Sequence, residues 1–402
     1  MARKMKDSGI EWIGEIPEGW EITKLKYLAT FPIEKNAHID SPYIGLENIE
    51  SWTGKYVSSD SQYDKSQALT FSRNNILFGK LRPYLAKVFF ASNDGCCSSE
   101  FCILNFSSSV NIRYFWNLLI SPTFIDHVTK STYGTKMPRA NTDFIKNICV
   151  PVPPHIEQDR IALYLDATSA KIDSLISKTR SSIEEYKKLK QAVITQAVTT
   201  LNCPNVKLKY LMDIIVDCPH ETPIYTFTGN YLVIRTSDQS LASLRCDEYM
   251  YRLDEAEYKK RTRRLTLDKD DIVYGREGSW GLACLVPQSN KYCLGQRVMQ
   301  FRCNTRLLYP KYAMYALNSE TVYMQGALDT IGSTAPHVNI STICNYLLPV
   351  PALTEQKEIA NYLDAKCAEI DRLIAKKEQL VKELESYKKS LIYEVVTGKR
   401  EV

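Results

Sequence analysis

Lys259-Lys260-Arg261-Thr262-Arg263-Arg264 is the densest run of positive charge in the chain, and Arg276 follows it. Side chains of this kind neutralise phosphates, which supply most of the affinity in nucleic-acid binding, while a few other groups read base edges. A second, looser set lies in the first half: Arg73, Lys80, Arg82, Lys87, Lys130, Lys136 and Arg139, interleaved with Tyr84 and Tyr133. A charge run is usually only a solvated face, so its weight depends on the domain that carries it. Two short stretches, Thr135-Lys136-Met137-Pro138-Arg139 and Ser333-Thr334-Ala335-Pro336-His337, follow Gly134 and Gly332 in matching positions. Their polar content differs while their surroundings repeat, which favours them as ligand-facing loops.

Chemistry that breaks or makes bonds is harder to place. An amino-methyltransferase needs an Asn-Pro-Pro-Tyr-like loop and a glycine-rich cofactor loop after a strand, and neither is present. Gly275, Gly278 and Gly281 are spaced as GxxGxxG, but no Lys-Ser/Thr follows to hold a phosphate; a bulge or turn is the better reading. Asp254-Glu255-Ala256-Glu257 has the look of a helicase box without any GxxxxGK[ST] loop to serve it. Glu257-Tyr258-Lys259 with Asp247 upstream loosely fits the carboxylate-lysine set of a metal-dependent nuclease, an alternative that stays open. His38, His127, His155, His220 and His337 form no spaced cluster, and the twelve cysteines contain no CxxC pair, so reduced thiols and no metal site are expected. No catalytic residue is assigned.

The elements that must position these groups are announced by an internal repeat. Pro151-Val152-Pro153 recurs as Pro349-Val350-Pro351, Glu157-Gln158 as Glu355-Gln356, and Tyr164-Leu165-Asp166-Ala167 as Tyr362-Leu363-Asp364-Ala365, at a constant offset of 198. About 22 of 50 aligned positions are identical. Gly134, Pro138, Asn141, Ile145 and Asn147 match Gly332, Pro336, Asn339, Ile343 and Asn345 at the same offset, and Lys24-Leu25-Lys26-Tyr27-Leu28 reappears as Lys207-Leu208-Lys209-Tyr210-Leu211. The ends of the two halves are alike and the middles have diverged.

From Glu157 to Thr199 and from Glu355 to Thr397 there is no proline or glycine, charge is dense, and apolar residues alternate at three and four. Each tail therefore reads as one helix of about 43 residues, roughly 65 Å long. A rod of that length outgrows any single core here, and the economical arrangement packs the two antiparallel as an intramolecular coiled coil. Heptad spacing places Ile172, Leu175, Tyr186, Leu189 and Val193 of the first helix in the seam, and Ile370, Leu373, Leu380, Leu384, Tyr387 and Leu391 of the second. Pro-Val-Pro-Pro-His and Pro-Val-Pro-Ala-Leu before the helices are stiff junctions that neither continue a strand nor start a helix earlier. Two independent surface helices, or dimerisation with another copy, are the plainer alternatives.

The intervening segments alternate short apolar runs with turn residues and include helical patches at Val110 to Leu119 and Pro310 to Asn318. The expected fold class is α+β: two mixed α/β domains rich in β-structure and a pseudo-two-fold repeat of long helices. The expected segments are a first recognition domain at 1–150, a repeated central helix with its junction at 151–200, a second recognition domain at 201–348, and the C-terminal repeat at 349–402. A length of 402 residues suits two domains. With 44% hydrophobic and 24% charged residues the composition is that of a folded globular chain, and a net charge of +5 says little until its distribution is known. No apolar segment approaches a membrane span and no secretory signal follows Met1, so a soluble, cytoplasmic protein with no membrane partner is expected.

Together these features resemble the specificity subunits of type I restriction-modification systems. Ser8-Gly9-Ile10-Glu11-Trp12-Ile13-Gly14-Glu15-Ile16-Pro17-Glu18-Gly19-Trp20 looks like the usual opening of the first recognition domain, and Leu77-Phe78-Gly79-Lys80-Leu81-Arg82-Pro83-Tyr84 like a frequent internal segment. The Pro-x-Pro junction followed by Glu-Gln and Ile-Ala-x-Tyr-Leu-Asp, present twice, is the most specific sign. The second domain departs from the Leu-Arg-Pro-Tyr pattern, with Glu277-Gly278-Ser279-Trp280 after Arg276. The resemblance implies a non-catalytic, sequence-specific DNA-binding subunit whose two domains each read half of an asymmetric, bipartite target in double-stranded DNA. It implies two modification (methyltransferase) subunits docked on the repeated helices, with restriction/translocase subunits joining through the complex. S-adenosylmethionine, ATP and Mg then belong to those partners and no cofactor to this chain. In domains expected to bind DNA, the charge and loop positions above make the candidate contacts Arg73, Lys80, Arg82, Tyr84, Lys87, Lys136 and Arg139 in the first domain, and Lys259, Lys260, Arg261, Arg263, Arg264, Arg276 and His337 in the second. The competing readings are the metal-dependent endonuclease and a coiled-coil adaptor that binds no DNA.

Overall fold

The computed structural model describes residues 3–35, 42–59, 66–134, 136–200, 202–245, 247–278, 280–329 and 337–402. His38, Thr135, Ser279 and the stretch Gly332 to Pro336 lie outside the described residues, so of the two matching loops Lys136 to Arg139 and His337 are placed. The helices are α1 (Ile112–Leu119), α2 (Pro122–Lys130), α3 (Thr142–Asn147), α4 (His155–Thr199), α5 (Glu255–Arg261), α6 (Pro310–Leu317), α7 (Glu320–Ala327), α8 (Ile340–Cys344) and α9 (Leu353–Val396). The chain divides into two compact units, residues 1–179 with 379–402, and residues 180–378, so each long helix contributes to both.

In the first unit a four-stranded antiparallel sheet runs in the order Ala29–Thr30, Phe101–Phe106, Ile76–Gly79, Val88–Phe90. Ile76, Leu77, Phe78 and Gly79 are all buried, as a central strand covered on both faces requires. A three-stranded sheet of Tyr43–Ile44, Gly95–Cys97 and Leu69–Phe71 contains one parallel pair. Asn111 caps α1 by accepting from the Arg113 and Tyr114 amides, and the helix buries Tyr114, Phe115, Leu118 and Leu119. Pro122 opens α2, which buries Phe124, Ile125 and Val128.

The second unit repeats this plan with other residues. Its four strands are ordered Met212–Asp217, Val298–Cys303, Ile272–Gly275, Ala283–Leu285, and its three-stranded sheet of Arg252–Leu253, Tyr231–Ile234 and Tyr292–Leu294 again has one parallel pair. The diverged middles therefore share the four-stranded order and the parallel pair, but the third strand of the small sheet joins the later strand of that pair, Gly95–Cys97, in the first unit and the earlier one, Tyr231–Ile234, in the second.

The junctions differ from expectation in one respect. Pro151 and Pro349 sit inside short strands, Cys149–Val152 paired with Glu21–Lys24 and Leu347–Pro349 paired with Asn205–Lys207. Both ribbons are two-stranded, so the missing proline N–H faces no second neighbour and the strand tolerates it. The helices start sooner than the glutamates suggest, at His155 and Leu353.

One buried glutamine fastens each junction. Gln158 accepts from the Asn111 amide at 2.8 Å and donates to the Pro153 carbonyl at 2.8 Å. Gln356, 198 residues on, accepts from the Tyr309 amide at 2.7 Å and donates to the carbonyls of Pro351 and Leu307 at 2.9 and 3.0 Å. Tyr114 and Tyr312 are likewise paired by the repeat: their hydroxyls donate to the carbonyls of Pro151 at 3.0 Å and Pro349 at 2.8 Å.

The long helices pair antiparallel within each unit. In the first, Lys388 donates to Asp173 at 2.7 Å, and the Tyr114 hydroxyl joins the carbonyls of Pro151, before α4, and Val396, at the end of α9. In the second, Lys190 donates to both carboxylate oxygens of Asp371 at 2.9 and 2.8 Å, and the Lys377 ammonium lies 5.6 Å from the Tyr186 ring centre. Asp173 and Asp371, like Lys190 and Lys388, are repeat mates, so the same ion pair is made once in each unit.

The seam is not the one that heptad counting gives. Ile172, Ile370 and Leu391 are buried and Tyr186, Val193 and Leu384 partly so, but Leu175, Leu189, Leu373, Leu380 and Tyr387 are exposed. Ile176, Ile183, Ile194, Cys367 and Val381 take the buried places instead. On α9 the shift is one residue at every second position: Ile374, Val381 and Lys388 face inward where Leu373, Leu380 and Tyr387 were expected. Apolarity favoured the leucines, while the inward Lys388 is stabilised by its carboxylate partner.

Candidate nucleic-acid interface

Lys80 ends the central strand of the first unit, and the next residues turn sharply, with Arg82 and Ala86 in the left-handed backbone region. The turn is tied to the loop before α3: the Arg82 amide donates to the Pro138 carbonyl at 2.7 Å and the Ala140 amide to the Lys80 carbonyl at 2.9 Å. The two segments singled out separately in the sequence thus form one surface, carrying Lys80, Arg82, Tyr84, Lys136 and Arg139. Arg139 is held by the Glu100 carboxylate. Burial lowers the Lys80 ammonium from its usual range and the nearby Arg139 charge adds to this, yet the side chain has no ion-pair partner among the described residues. Arg82 is half-buried; Tyr84, Tyr133 and Lys136 are exposed. The arrangement offers cations and a phenol ring on a fixed backbone, suited to phosphate contact with a stacking group alongside.

The remaining cations of this unit divide. Arg73 is exposed, Lys130 pairs with Asp126 at 2.7 Å, and Lys87 donates to the Leu46 carbonyl at 2.6 Å, which makes it a brace inside the domain.

In the second unit the basic run splits into three roles. Lys259 and Lys260 pair with Glu255 at 2.7 Å and Glu221 at 2.8 Å. Arg261 is buried and donates to the carbonyls of Leu294, Gly295 and Glu221. It is a structural residue, in correction of its assignment to DNA, because the last turn of α5 points it inward. Arg263 and Arg264 are exposed and make no ion pair with any described residue. They line a cleft of about 490 Å³ with Pro219, His220 and Glu221.

Arg276 is also corrected. Only 8% exposed, it is held by Asp217 at 3.2 Å and Glu277 at 2.7 Å, so its charge is spent inside the protein. Its place in the fold nevertheless matches Lys80: the Val338 amide donates to its carbonyl at 3.2 Å, and Glu277 bridges to His337. The nuclease set is not assembled, since Asp247 is bound to Lys291 and Tyr292, Glu257 is turned to the Ile224 amide, and Lys259 goes to Glu255. Among the described residues no group of three His, Cys, Asp or Glu is placed to hold a metal ion, and no helix is long and apolar enough to cross a membrane. The roles of Gln158 and Gln356 escaped the sequence reading, although their recurrence beside a glutamate was its clearest signal.

Comparison with known proteins agrees with this plan. A family model for the type I restriction modification DNA specificity domain matches residues 17–185 and again 217–384. The EcoDI specificity subunit of Escherichia coli is 27% identical over a match that covers 45% of this chain and 42% of that protein. The MjaVIII specificity subunit of Methanocaldococcus jannaschii is 23% identical with 96% and 93% covered. The match therefore spans less than half of the first relative and nearly all of the second. Among solved structures, a chain from a study of complex assembly and conformational transition in a type I R-M system superposes with a TM-score of 0.74 at 19% identity, covering 96% of this chain and 99% of that one. The HsdS subunit from Thermoanaerobacter tengcongensis gives 0.52 at 19% identity, with 96% and 98% covered. With two copies of the domain matched across well over half of its length, the chain belongs to the family of type I restriction-modification DNA specificity subunits.

Proposed function

We propose that this chain is the non-catalytic subunit that selects the DNA target of a type I restriction-modification enzyme in the cytoplasm, each unit reading one part of an asymmetric, bipartite site. The observation that carries the reading is a repeated scaffold under unrepeated surfaces. Gln158 and Gln356, Tyr114 and Tyr312, and the two Asp-Lys pairs make the same contacts twice. The cations they support differ: the half-buried Lys80 and Arg82 and the exposed Lys136 in one unit, the exposed Arg263 and Arg264 in the other. Two unlike half-sites ask for that combination.

Two pairs of exposed apolar residues on the long helices are also repeat mates, Leu175 with Leu373 and Leu189 with Tyr387. Two equivalent footholds suit two copies of one partner, here the modification subunit that methylates adenine. S-adenosylmethionine, ATP and Mg belong to the modification and restriction/translocase subunits. Co-expression with the methyltransferase subunit followed by mapping of methylated adenines tests the assignment. The expected outcome is an interrupted, asymmetric motif methylated on both strands. Cleavage of DNA by the isolated chain with a divalent metal, or no DNA binding by the assembled complex, overturns it.

A further inference from the structure

Phe227 is fully exposed at a bend between Tyr225 and Gly229, the most exposed large apolar side chain among the described residues. Ile224 beside it is 71% exposed, and Tyr225 stacks on Tyr251 with ring centres 4.4 Å apart. A phenyl ring held wholly in water forfeits its burial free energy, and with Ile224 on the same loop it makes an exposed apolar tip and not a lone side chain.

The loop that carries Phe227 is fastened along its length. Lys260 pairs with Glu221, Arg261 donates to the Glu221 carbonyl, and Glu257 accepts from the Ile224 amide. At the far end the Thr226 amide donates to the Arg252 carbonyl at 2.9 Å and Arg252 returns a bond to the Gly229 carbonyl at 3.3 Å. Gly229 lies so near strand Arg252–Leu253 that a Cβ there would sit 1.9 Å from the Leu253 carbonyl oxygen. Two residues of the basic run, Lys260 and Arg261, thus help to hold this loop.

Charge around the loop identifies what it meets. Asp217, Glu221, Asp238 and Glu255 are each engaged by a basic side chain. Arg263 and Arg264 are left without an ion pair to any described residue, and they share a cleft with Pro219, His220 and Glu221 of the same loop. The Arg235 guanidinium lies 3.9 Å from the centre of the Tyr251 ring. An apolar tip at one end of this loop and two arginines without ion pairs to described residues in the cleft at its other end complement an extended duplex, with apolar contact for the bases and cations for the backbone.

We propose that Phe227 is a wedge that stacks against a base step of the half-site read by the second unit, with Arg263 and Arg264 on the flanking phosphates. This rests on the reading of the chain as a DNA specificity subunit. The full chain, with the methyltransferase subunit of the preceding proposal, is equilibrated with duplexes of randomised sequence, and the enriched duplex is then titrated. Phe227→Ala weakens binding about tenfold or more and leaves the salt dependence unchanged. The Arg263→Ala, Arg264→Ala double variant weakens binding to all sequences and lowers the salt slope by about two. Phe227→Trp keeps the affinity and its fluorescence is quenched on the duplex. Because Phe227 touches solvent only, its variants melt as the parent does. Enrichment by the parent with no loss in Phe227→Ala overturns the wedge alone, as does a Phe227→Ala protein that binds duplex normally but no longer holds its protein partner. A parent complex that enriches no sequence overturns the reading beneath it.

Discussion

Lys80 and Arg276 occupy the same place in their units, each at the end of the central strand and each accepting through its carbonyl from the residue after the variable loop, Ala140 or Val338. Their side chains do opposite things. The Lys80 ammonium stays partly exposed and unclaimed by any described carboxylate, while the Arg276 guanidinium is enclosed by Asp217 and Glu277. Backbone geometry is thus repeated and charge is reassigned, so a cation at a matching position does not imply a matching contact. What is shared between units should break both alike when altered, and what differs should affect one unit alone.

The largest effect is expected where the units are most alike. Gln158→Leu and Gln356→Leu keep the volume of a buried side chain but strand a backbone amide and a carbonyl at each junction, at a cost of about 2–3 kcal/mol apiece. Urea unfolding followed by circular dichroism reads the loss. If one variant is as stable as the parent, the two junctions are not equivalent and the shared scaffold is an accident of sequence.

These glutamines show what could be read in advance. The fixed offset of 198 made the repeat and the long helices visible, because identity at a constant spacing survives without any knowledge of packing. The recognition surfaces were less legible, since burial decides whether a cation is free and burial depends on distant residues. Arg261 looked like its neighbours in the run, and only the carbonyls of Leu294 and Gly295 distinguish it. Phe227 gave no signal at all, because a lone phenylalanine in a loop usually reads as local core. The helix register failed for a related reason: leucines that face solvent and leucines that face a partner helix follow the same spacing.

An intermediate effect separates the two repeated ion pairs. Asp173 is met by Lys388 at 2.7 Å and also by Lys55 at 3.1 Å, whereas its mate Asp371 has Lys190 as its one ion-pair partner among the described residues. Burial pushes the Asp173 carboxyl up, but the hydrogen bonds and charges of Lys388 and Lys55 outweigh it and hold the group below the ordinary carboxylate range. A depressed folded value means that this contact adds stability above the unfolded value of about 3.9 and loses it as the pH falls through the folded one. Asp173→Asn should therefore cost about 1–2 kcal/mol at pH 7, with the gap to the parent closing in acid below about pH 4. Calorimetry at the two pH values checks this, and a gap that widens in acid contradicts the depressed carboxyl.

The smallest effect on stability belongs to Leu373→Asp, and it tests the register directly. At 36% exposure Leu373 lies at the edge of the pairing surface that Ile370 and Val381 define on α9, so a carboxylate there still reaches water and costs about 1 kcal/mol or less. The same change in a seam position leaves a charge unpaired among apolar groups, which a protein of ordinary stability does not survive. If Leu373 and its mate Leu175 are footholds for the methyltransferase subunit, the variant melts with the parent yet co-purifies with less partner. Loss of the fold in Leu373→Asp restores the heptad seam read from the sequence, and a stable variant with undiminished partner binding moves the footholds elsewhere on the helices.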